Sequence, residues 1–310
     1  MKSKHVVMFS AGGGSWAAAK RVVERHGTAN LWLLFTDTLM EDEDAYRFLV
    51  EGAANVLGVE VPTQRVPQVY QFPDWNDRHA YKLFVEGLRA EFEGVIPGLF
   101  WLARGGDIWD VFRAERFLGN SSADPCSKLL KRKMADAWLQ ANCDPADTIV
   151  YVGIDKFEEH RFDDGAGGGV RPRRAKAGWR YEAPLCEPPF MAPWNVRELM
   201  RAEGIAPPRL YEMGYAHNNC GGGCCKMGHA QAALLLRTQP RRFDLWERKE
   251  EELRAFLAAD VSMLSDRTGD GHKKVLTLRD FRRRIEARPQ LGFEFDDFNA
   301  GCECFLEAAE

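Results

Sequence analysis

The sequence predicts an α/β protein: a parallel sheet covered by helices, followed by a mainly helical, cysteine-rich C-terminal region. Three observations carry this. An apolar run at residues 5–9 passes through Ser10-Ala11-Gly12-Gly13-Gly14-Ser15 into an alanine-rich helical stretch at 16–25. Strand and helix patterns then alternate through 61, the signature of a parallel sheet with helical crossovers. From Pro207 the pattern turns helical and carries five of the eight cysteines.

The glycine run comes first. Three glycines at a strand-to-helix turn let the backbone approach a ligand with no Cβ in the way. The first N–H groups of the helix lack intrahelical partners, so the turn suits an anion, most often phosphate. The alternative is a tight turn with no ligand. Gly-x-Gly-x-x-Gly is absent, and no Lys precedes Ser15 as the Walker pattern requires. Residues 30–35 read as a second strand ending in Thr36-Asp37-Thr38. Residues 41–57 read as an amphipathic helix with an acidic first turn, which suits the helix dipole. Val59-Glu60-Val61 reads as the start of a third strand. Ligands of such sheets bind at the carboxyl ends of the strands, where the glycine loop and Asp37-Thr38 both lie.

Residues 81–92 and 108–117 read as helices, with a loop between them marked by Pro97, Gly98, Gly105 and Gly106. Asp124-Pro125-Cys126 opens a helix over 127–140, with Lys128, Lys131, Arg132 and Lys133 near its start. Cations there oppose the dipole, so either phosphate contact or a solvated face accounts for them. Residues 148–155 form a buried strand leading into Glu158-Glu159-His160-Arg161. The glycine-rich 163–169 stretch is a candidate lid, followed by Arg171, Arg173, Arg174 and Lys176. Residues 179–186 read as extended. Helices follow at 195–202, 226–237, 240–258 and 278–287. A boundary near 205 separates a nucleotide-binding α/β part, 1–205, from a helical part, 206–310, unless the two pack as one unit.

Composition narrows the function. With 310 residues, 45% hydrophobic and 28% charged, the chain is an ordinary globular one able to bury a large core. A net charge of −4 gives no global basic field, so nucleic-acid binding by charge alone is unsupported, although a local basic patch stays open. Too few residues precede the first loop for a signal peptide, and no run of about twenty apolar residues offers a membrane span. A cytoplasmic protein without membrane attachment is the expectation. In that compartment cysteines read as thiols, metal ligands or redox groups.

Two cysteine groups stand out. Cys220-Gly221-Gly222-Gly223-Cys224-Cys225 and Cys302-Glu303-Cys304 supply Cys220, Cys224, Cys302 and Cys304 as four thiolates for Zn²⁺ or an iron–sulfur cluster. Cys225 is a spare ligand, and the alternative is a set of reduced, buried thiols. Cys126 stands apart at the start of a cation-rich helix, where positive potential favours the thiolate. It reads as a nucleophile or persulfide carrier, as a further ligand, or as a plain helix-start cysteine. Cys143 and Cys186 read as structural, and His217 and His229 as ordinary histidines rather than ligands.

The loop is similar to the Ser-Gly-Gly-x-Asp-Ser PP-loop of the ATP-pyrophosphatase and sulfonucleotide (PAPS/APS) reductase superfamily. Ser10, Gly12 and Ser15 match, Ala11 replaces the first Gly, and Gly14 replaces the Asp. The likeness continues in order through Asp37-Thr38, Cys126-Ser127-Lys128-Leu129-Leu130-Lys131, Gly153-Ile154-Asp155 with Glu158 and Arg161, Ala183-Pro184-Leu185, and Leu210-Tyr211 with Gly214 and Cys220. The chain thus resembles an adenine nucleotide alpha hydrolase-like protein. The resemblance implies a Rossmann-like (HUP-type) parallel sheet of five strands with helices on both faces. It implies ATP with Mg²⁺ on Ser10, Gly12, Gly13, Gly14, Ser15, Asp37, Thr38 and Gly153. It also favours a [4Fe–4S] cluster over Zn²⁺.

The leading expectation is an ATP-dependent, pyrophosphate-releasing sulfurtransferase acting on a nucleotide, a nucleic acid or a small metabolite. Sulfur would be delivered from Cys126 or through the cluster, and Lys131, Arg161 and the 171–176 basic run would neutralise phosphate charge. Its partners would be a sulfur donor, such as a cysteine desulfurase, or a thiol reductant; a homo-oligomer stays open. A sulfonucleotide reductase is the alternative, with Cys302 or Cys304 as its reactive thiol. A non-catalytic adenine-nucleotide-binding module is the third reading, favoured by Gly14.

Overall fold

Five strands form one all-parallel sheet: β1 (Lys4–Met8), β2 (Leu31–Asp37), β3 (Leu99–Ala103), β4 (Thr148–Tyr151) and β5 (Arg180–Glu182), in the order β3-β2-β1-β4-β5. The computed structural model describes residues 3–61, 71–118, 124–267 and 273–287. β1 is central, with Val6 paired to Trp32 on one side and to Val150 on the other. Its side chains alternate as a pleated strand requires. Val7 and Phe9 enter one hydrophobic cluster, and Val6 and Met8 enter another. Apolar layers therefore cover both faces, as buried parallel sheets demand, and the five-stranded parallel sheet is compatible with a Rossmann-like fold.

The first cluster holds α1 (Gly13–His26), α2 (Glu43–Leu57), α3 (Arg78–Phe92), α4 (Ile108–Ala114) and, later in the chain, α8 (Pro193–Ala202). The second holds α5 (Lys133–Asn142) with α6 (Glu159–Phe162) and α7 (Val170–Lys176). The chain continues through α9 (Arg209–Glu212), α10 (His229–Thr238) and α11 (Pro240–Leu257). An antiparallel pair, β6 (Leu264–Arg267) and β7 (Lys273–Leu276), and α12 (Leu278–Ala287) follow. Leu210, Leu235, Trp246 and Phe281 belong to the same cluster as Val7 and Phe9, so one core runs across the boundary expected near 205. One buried carboxylate reinforces that junction: Asp42 caps α2 and pairs with Arg209 and Arg242 from the later segment.

The structure differs from the sequence expectation in two places. Val59 to Val61 lie outside any strand, and the third strand is Leu99–Ala103, inside the stretch expected to be loop. Its apolar run, Leu99-Phe100-Trp101-Leu102-Ala103, is short and bracketed by Gly98 and Gly105, which mark turns. Gly98 has φ +96, a turn conformation that glycine adopts without strain. The helix expected over 127–140 also departs from plan. Its first part, Ser127–Arg132, is a π-helical turn, and the α-helix proper starts at Lys133. Wide turns of this kind are rare and frequently lie at functional sites.

Glu250 of α11 is fully buried and accepts hydrogen bonds from the backbone N–H groups of Met263 (2.8 Å) and Leu278 (2.6 Å), tying β6 and α12 to α11. Burial raises its pKa from the ordinary glutamate value to about 7. The folded state therefore holds this proton more tightly than the unfolded chain does. The stabilisation is complete below the unfolded pKa of 4.5 and is lost as pH rises through about 7. Urea unfolding should show stability falling across that window, with Glu250 contributing on the order of 1–3 kcal/mol. Glu250→Gln should flatten that share of the profile; an unchanged slope would refute the assignment.

Candidate functional site

The sheet changes direction of growth at β1 and β4: β2 and β3 extend one way, β5 the other. The crevice beyond the carboxyl ends of these two strands is where open α/β sheets bind ligands. The glycine loop leaves β1 at this point and Gly153 follows β4. A Cβ on Gly14 would stand 2.7 Å from the Gly153 carbonyl oxygen, and a Cβ on Gly153 would stand 2.5 Å from Ser15 N and Gly14 C. Backbone meets backbone here with no room for a side chain. The aspartate that the resembling loop carries at position 14 has no space in this chain.

Inside the loop, Ser15 Oγ donates to Gly12 O (2.9 Å) and accepts from Ser10 N (3.1 Å). Gly12 occupies the N-cap of α1 in extended conformation, without a side-chain cap. Tyr211 of α9 reaches in, and its hydroxyl accepts from Gly13 N at 2.9 Å. Asn218 Nδ2 donates to Ala11 O at 2.7 Å, while Asn218 Oδ1 is buried with no partner among the described residues. An unmatched buried acceptor is uncommon and calls for a donor. Tyr211 and Asn218 thus complete the loop from far along the chain. Tyr211 fell within the resemblance, but no local signal marked Asn218.

Asp37 and Thr38 lie at the carboxyl end of β2 as expected, but both side chains turn inward. Asp37 is fully buried and accepts from Leu39 N (2.7 Å), Trp101 Nε1 (2.9 Å) and Tyr46 Oη (3.1 Å). Burial and the neighbouring Glu41 carboxylate raise its pKa to about 7. Thr38 Oγ1 donates to Glu41 Oε1 at 2.9 Å. Glu41, not singled out in the sequence, joins three segments. It accepts from Thr38, accepts from Cys220 N at 2.6 Å, and stands 3.9 Å from Lys131 Nζ. Ala11, Leu39 and Cys220 all have φ between +53° and +57°, a region that costs an L-residue about 1–2 kcal/mol. Ala11 is bonded to Asn218, Cys220 to Glu41 and Leu39 to Asp37, and strain of this kind tends to cluster at functional sites.

Cys126 stands at the entrance of the π-helical turn with helical dihedrals (φ −62°, ψ −48°), at the helix start where the sequence put it. Its Sγ stands 3.8 Å from Cys225 Sγ. The Cys225 thiol, and after it Lys131 and the Ser127 N–H, hold the Cys126 pKa below that of an ordinary thiol, against burial and the Asp124 carboxylate. Cys225 is the protonated member, pushed well up by Cys126, Cys224 and burial. Cys220 is also raised, chiefly by burial, with Cys224 and Cys126 among its neighbours. The structure therefore gathers Cys126, Cys220, Cys224 and Cys225, and Cys225 belongs with the reactive group. Of the expected cations, Lys131 acts on Cys126, whereas Arg132 pairs with Asp124 at 2.8 Å.

The remaining expected residues are placed as follows. Arg161 is buried and pairs with Glu158 at 2.6 Å. In the basic run, Arg171 pairs with Asp163 and Arg174 with Asp136. Cys143 and Cys186 stand apart from the thiol group, and Cys186 Sγ donates to the Ile154 and Asp155 carbonyls. Cys302 and Cys304 lie outside the described residues. Among the described residues, no group of three or more His, Cys, Asp or Glu side chains stands at metal-binding spacing. No described helix is long and apolar enough to cross a membrane. No protein-family model matches the chain, and no curated protein matches it.

The contact at Gly14 and Gly153 gives a direct test. Gly14→Ala, Gly14→Asp and Gly153→Ala should each lower the unfolding free energy by about 1–3 kcal/mol, the usual cost of forcing atoms into packed space. Denaturant titration reads this. Wild-type stability in all three would show that the loops after β1 and β4 do not meet as described.

Proposed function

We propose that the chain is a PP-loop-like enzyme that binds ATP in the crevice between the loops after β1 and β4 and transfers sulfur with Cys126 and Cys225 as paired thiols. One observation carries this reading: two thiols 3.8 Å apart, one held toward thiolate and the other toward thiol. A low-pKa sulfur beside a second sulfur is the equipment of thiol chemistry. The glycine loop, the start of α1 and the orphaned Asn218 oxygen support a nucleotide nearby: phosphate suits the helix start, and a hydroxyl or amino donor on the ligand would satisfy Asn218.

In this reading, an oxygen of the acceptor attacks the α-phosphorus of ATP and pyrophosphate leaves, with Lys131 and Arg161 offsetting the charge. A sulfane-sulfur donor such as a cysteine desulfurase loads Cys126 as a persulfide, whose outer sulfur then attacks the carbon bearing the adenylated oxygen. The carbon–oxygen bond breaks and AMP departs. Cys225 sulfur next attacks Cys126 Sγ, its proton passing to the departing product sulfur. A disulfide between Cys126 and Cys225 remains, and a thiol reductant returns both to thiols with two electrons. Glu41 and Asp37 act as positioning residues, since their oxygens are spent on Lys131, the Cys220 backbone and the turn after β2.

A second reading rests on the same gathering of sulfurs. Four thiols are the right donors for a [4Fe–4S] cluster or Zn²⁺, and Cys126, Cys220, Cys224 and Cys225 are the ones brought together, while Cys302 and Cys304 remain further candidates. The spacing of the described side chains does not match a shared ion, so no step above depends on one. Iron, sulfide and zinc analysis of anaerobically prepared protein separates a dithiol from a bound metal.

Incubation with ATP and candidate acceptors should release pyrophosphate; sulfite from adenylyl sulfate would instead indicate a reductase, and neither a non-catalytic nucleotide-binding module. Cys126→Ser should abolish turnover with ATP affinity retained. Cys225→Ser should stop after one sulfur transfer and prevent the disulfide that mass spectrometry would detect in the wild type. Full multiple turnover by Cys225→Ser would sink the paired-thiol mechanism.

A further inference from the structure

Among the described residues, four large hydrophobic side chains are strongly exposed: Leu83, Phe157, Phe190 and Trp194. Three of the four fall within 157–194, on segments that follow β4 and β5. Phe157 belongs to the short helical turn Lys156–Glu158, three residues beyond Gly153. Phe190 lies in the loop after β5, with Lys156 Nζ 5.7 Å from its ring centroid. Trp194 opens α8 and is 58% exposed. Arg197 and Arg201 follow it at three and seven positions, on one side of that helix. The Arg197 guanidinium lies 5.8 Å from the Tyr211 ring centroid, and Tyr211 touches Gly13. Lys156, next to Phe157 in sequence, thus stands by the Phe190 ring, while Trp194 shares a face of α8 with Arg197, whose guanidinium lies over Tyr211 beside the glycine loop.

The loop that presents Phe190 is not loosely held. Arg21 of α1 is buried, and its guanidinium donates to the carbonyls of Pro184 (2.7 Å), Glu187 (2.7 Å) and Pro189. Arg25 adds an ion pair to Glu187 at 2.9 Å. Three carbonyls on one guanidinium fix the backbone while leaving the Phe190 ring 52% exposed. Holding aromatic rings in water on an anchored backbone costs solvation with no gain to the fold. Large exposed apolar groups beside polar ones mark interaction sites. Charge favours one occupant. The chain has a net charge of −4, yet residues 156–201 hold nine Lys and Arg against seven Asp and Glu. Flat rings interleaved with cations suit stacked bases and a phosphate backbone.

We propose that Phe157, Phe190 and Trp194, with Lys156 and Arg197, form a platform on which a single-stranded nucleic acid stacks its bases beside the nucleotide crevice. This deepens the sulfur-transfer reading by naming its acceptor class, and it rests on that reading for its meaning. The surface itself is testable without turnover.

Fluorescein-labelled oligothymidylate and oligouridylate serve as probes, with a duplex of equal length as control, in anisotropy titrations over a range of salt. Single strands should bind the wild type more tightly than duplex, with affinity falling as salt rises. Phe190→Ala and Trp194→Ala should each weaken binding about fivefold or more, and Lys156→Glu should lower the salt dependence. Leu83→Ala, on the helix before the opposite edge strand β3, should bind as the wild type does. These side chains are exposed, so the variants should keep their fold, and ATP affinity should survive in each. Loss of strand binding with ATP affinity intact supports the platform. Absence of single-strand binding by the wild type, or equal binding by the aromatic variants, overturns it whatever the fate of the sulfur-transfer reading. Altered self-association with unchanged strand binding also overturns it and makes the patch a protein interface.

Discussion

The constraint on which the crevice depends is the backbone contact between Gly14 and Gly153. β1 and β4 are neighbours in the sheet, and the loops that leave them are pressed together until a single Cβ would collide at 2.5–2.7 Å. That approach fixes where α1 starts and closes the floor of the crevice. It also sets a sequence rule: both positions must be glycine. The substitution that weakens the likeness to a PP-loop, Gly14 for Asp, is therefore what this backbone requires. Any nucleotide bound here would be held by main-chain groups and by side chains arriving from elsewhere, chiefly Tyr211 and Asn218.

Those late-arriving side chains explain why the C-terminal part packs so tightly on the sheet. Glu41 receives the Cys220 backbone, Asp42 receives Arg209 and Arg242, and Asn218 holds Ala11. Each is a buried polar contact whose loss would strand its partner, at a cost of about 1–3 kcal/mol. Such contacts are most sensitive to geometry where water is excluded. Ala11 and Cys220, both with positive φ, sit at the ends of two of these links, and Leu39, with positive φ as well, is held by Asp37. Strain of this size persists only when surrounding contacts over-determine the backbone, and here the contacts come from both halves of the chain. The site is consequently a product of the whole core and not of the glycine loop alone.

Much of the sheet was legible in the sequence because local signals coincide there. β1, β2 and β4 are continuous apolar runs, and α2 announces itself by Asp42, its acidic first turn and Gly58 in left-handed conformation. β3 was hidden because Leu99-Phe100-Trp101-Leu102-Ala103 sits among glycines that argued for loop, and an apolar run of that length is ambiguous by periodicity. The site was legible only in part. Gly12 to Ser15 and Cys126 follow from local chemistry, but the inward turn of Asp37 depends on Trp101 and Tyr46, and the role of Glu41 depends on Cys220, which is far along the chain. The pairing of Cys126 with Cys225 spans 99 positions, and spacing alone gave Cys225 only a spare role.

The π-helical turn links these observations. An ordinary α-helical start at Cys126 would present its side chains at 100° per residue, whereas a wide turn over Ser127–Arg132 changes that phase before α5 begins. In the observed arrangement Arg132 points back to Asp124, Lys131 stands near Glu41, and Lys131 still acts on Cys126. Two adjacent cations are thus divided between two carboxylates. Asp124 raises the Cys126 pKa while Lys131 lowers it, and Arg132 and Lys226 both draw on the Asp124 charge. This division adds a smaller share to the effect of the Cys225 thiol, which comes first in lowering the Cys126 pKa. A regular helix would alter the direction of Lys131 and Arg132 relative to Cys126, so the irregular turn, which no residue in 127–132 advertises, places the cations that support the low pKa the Cys225 thiol chiefly sets.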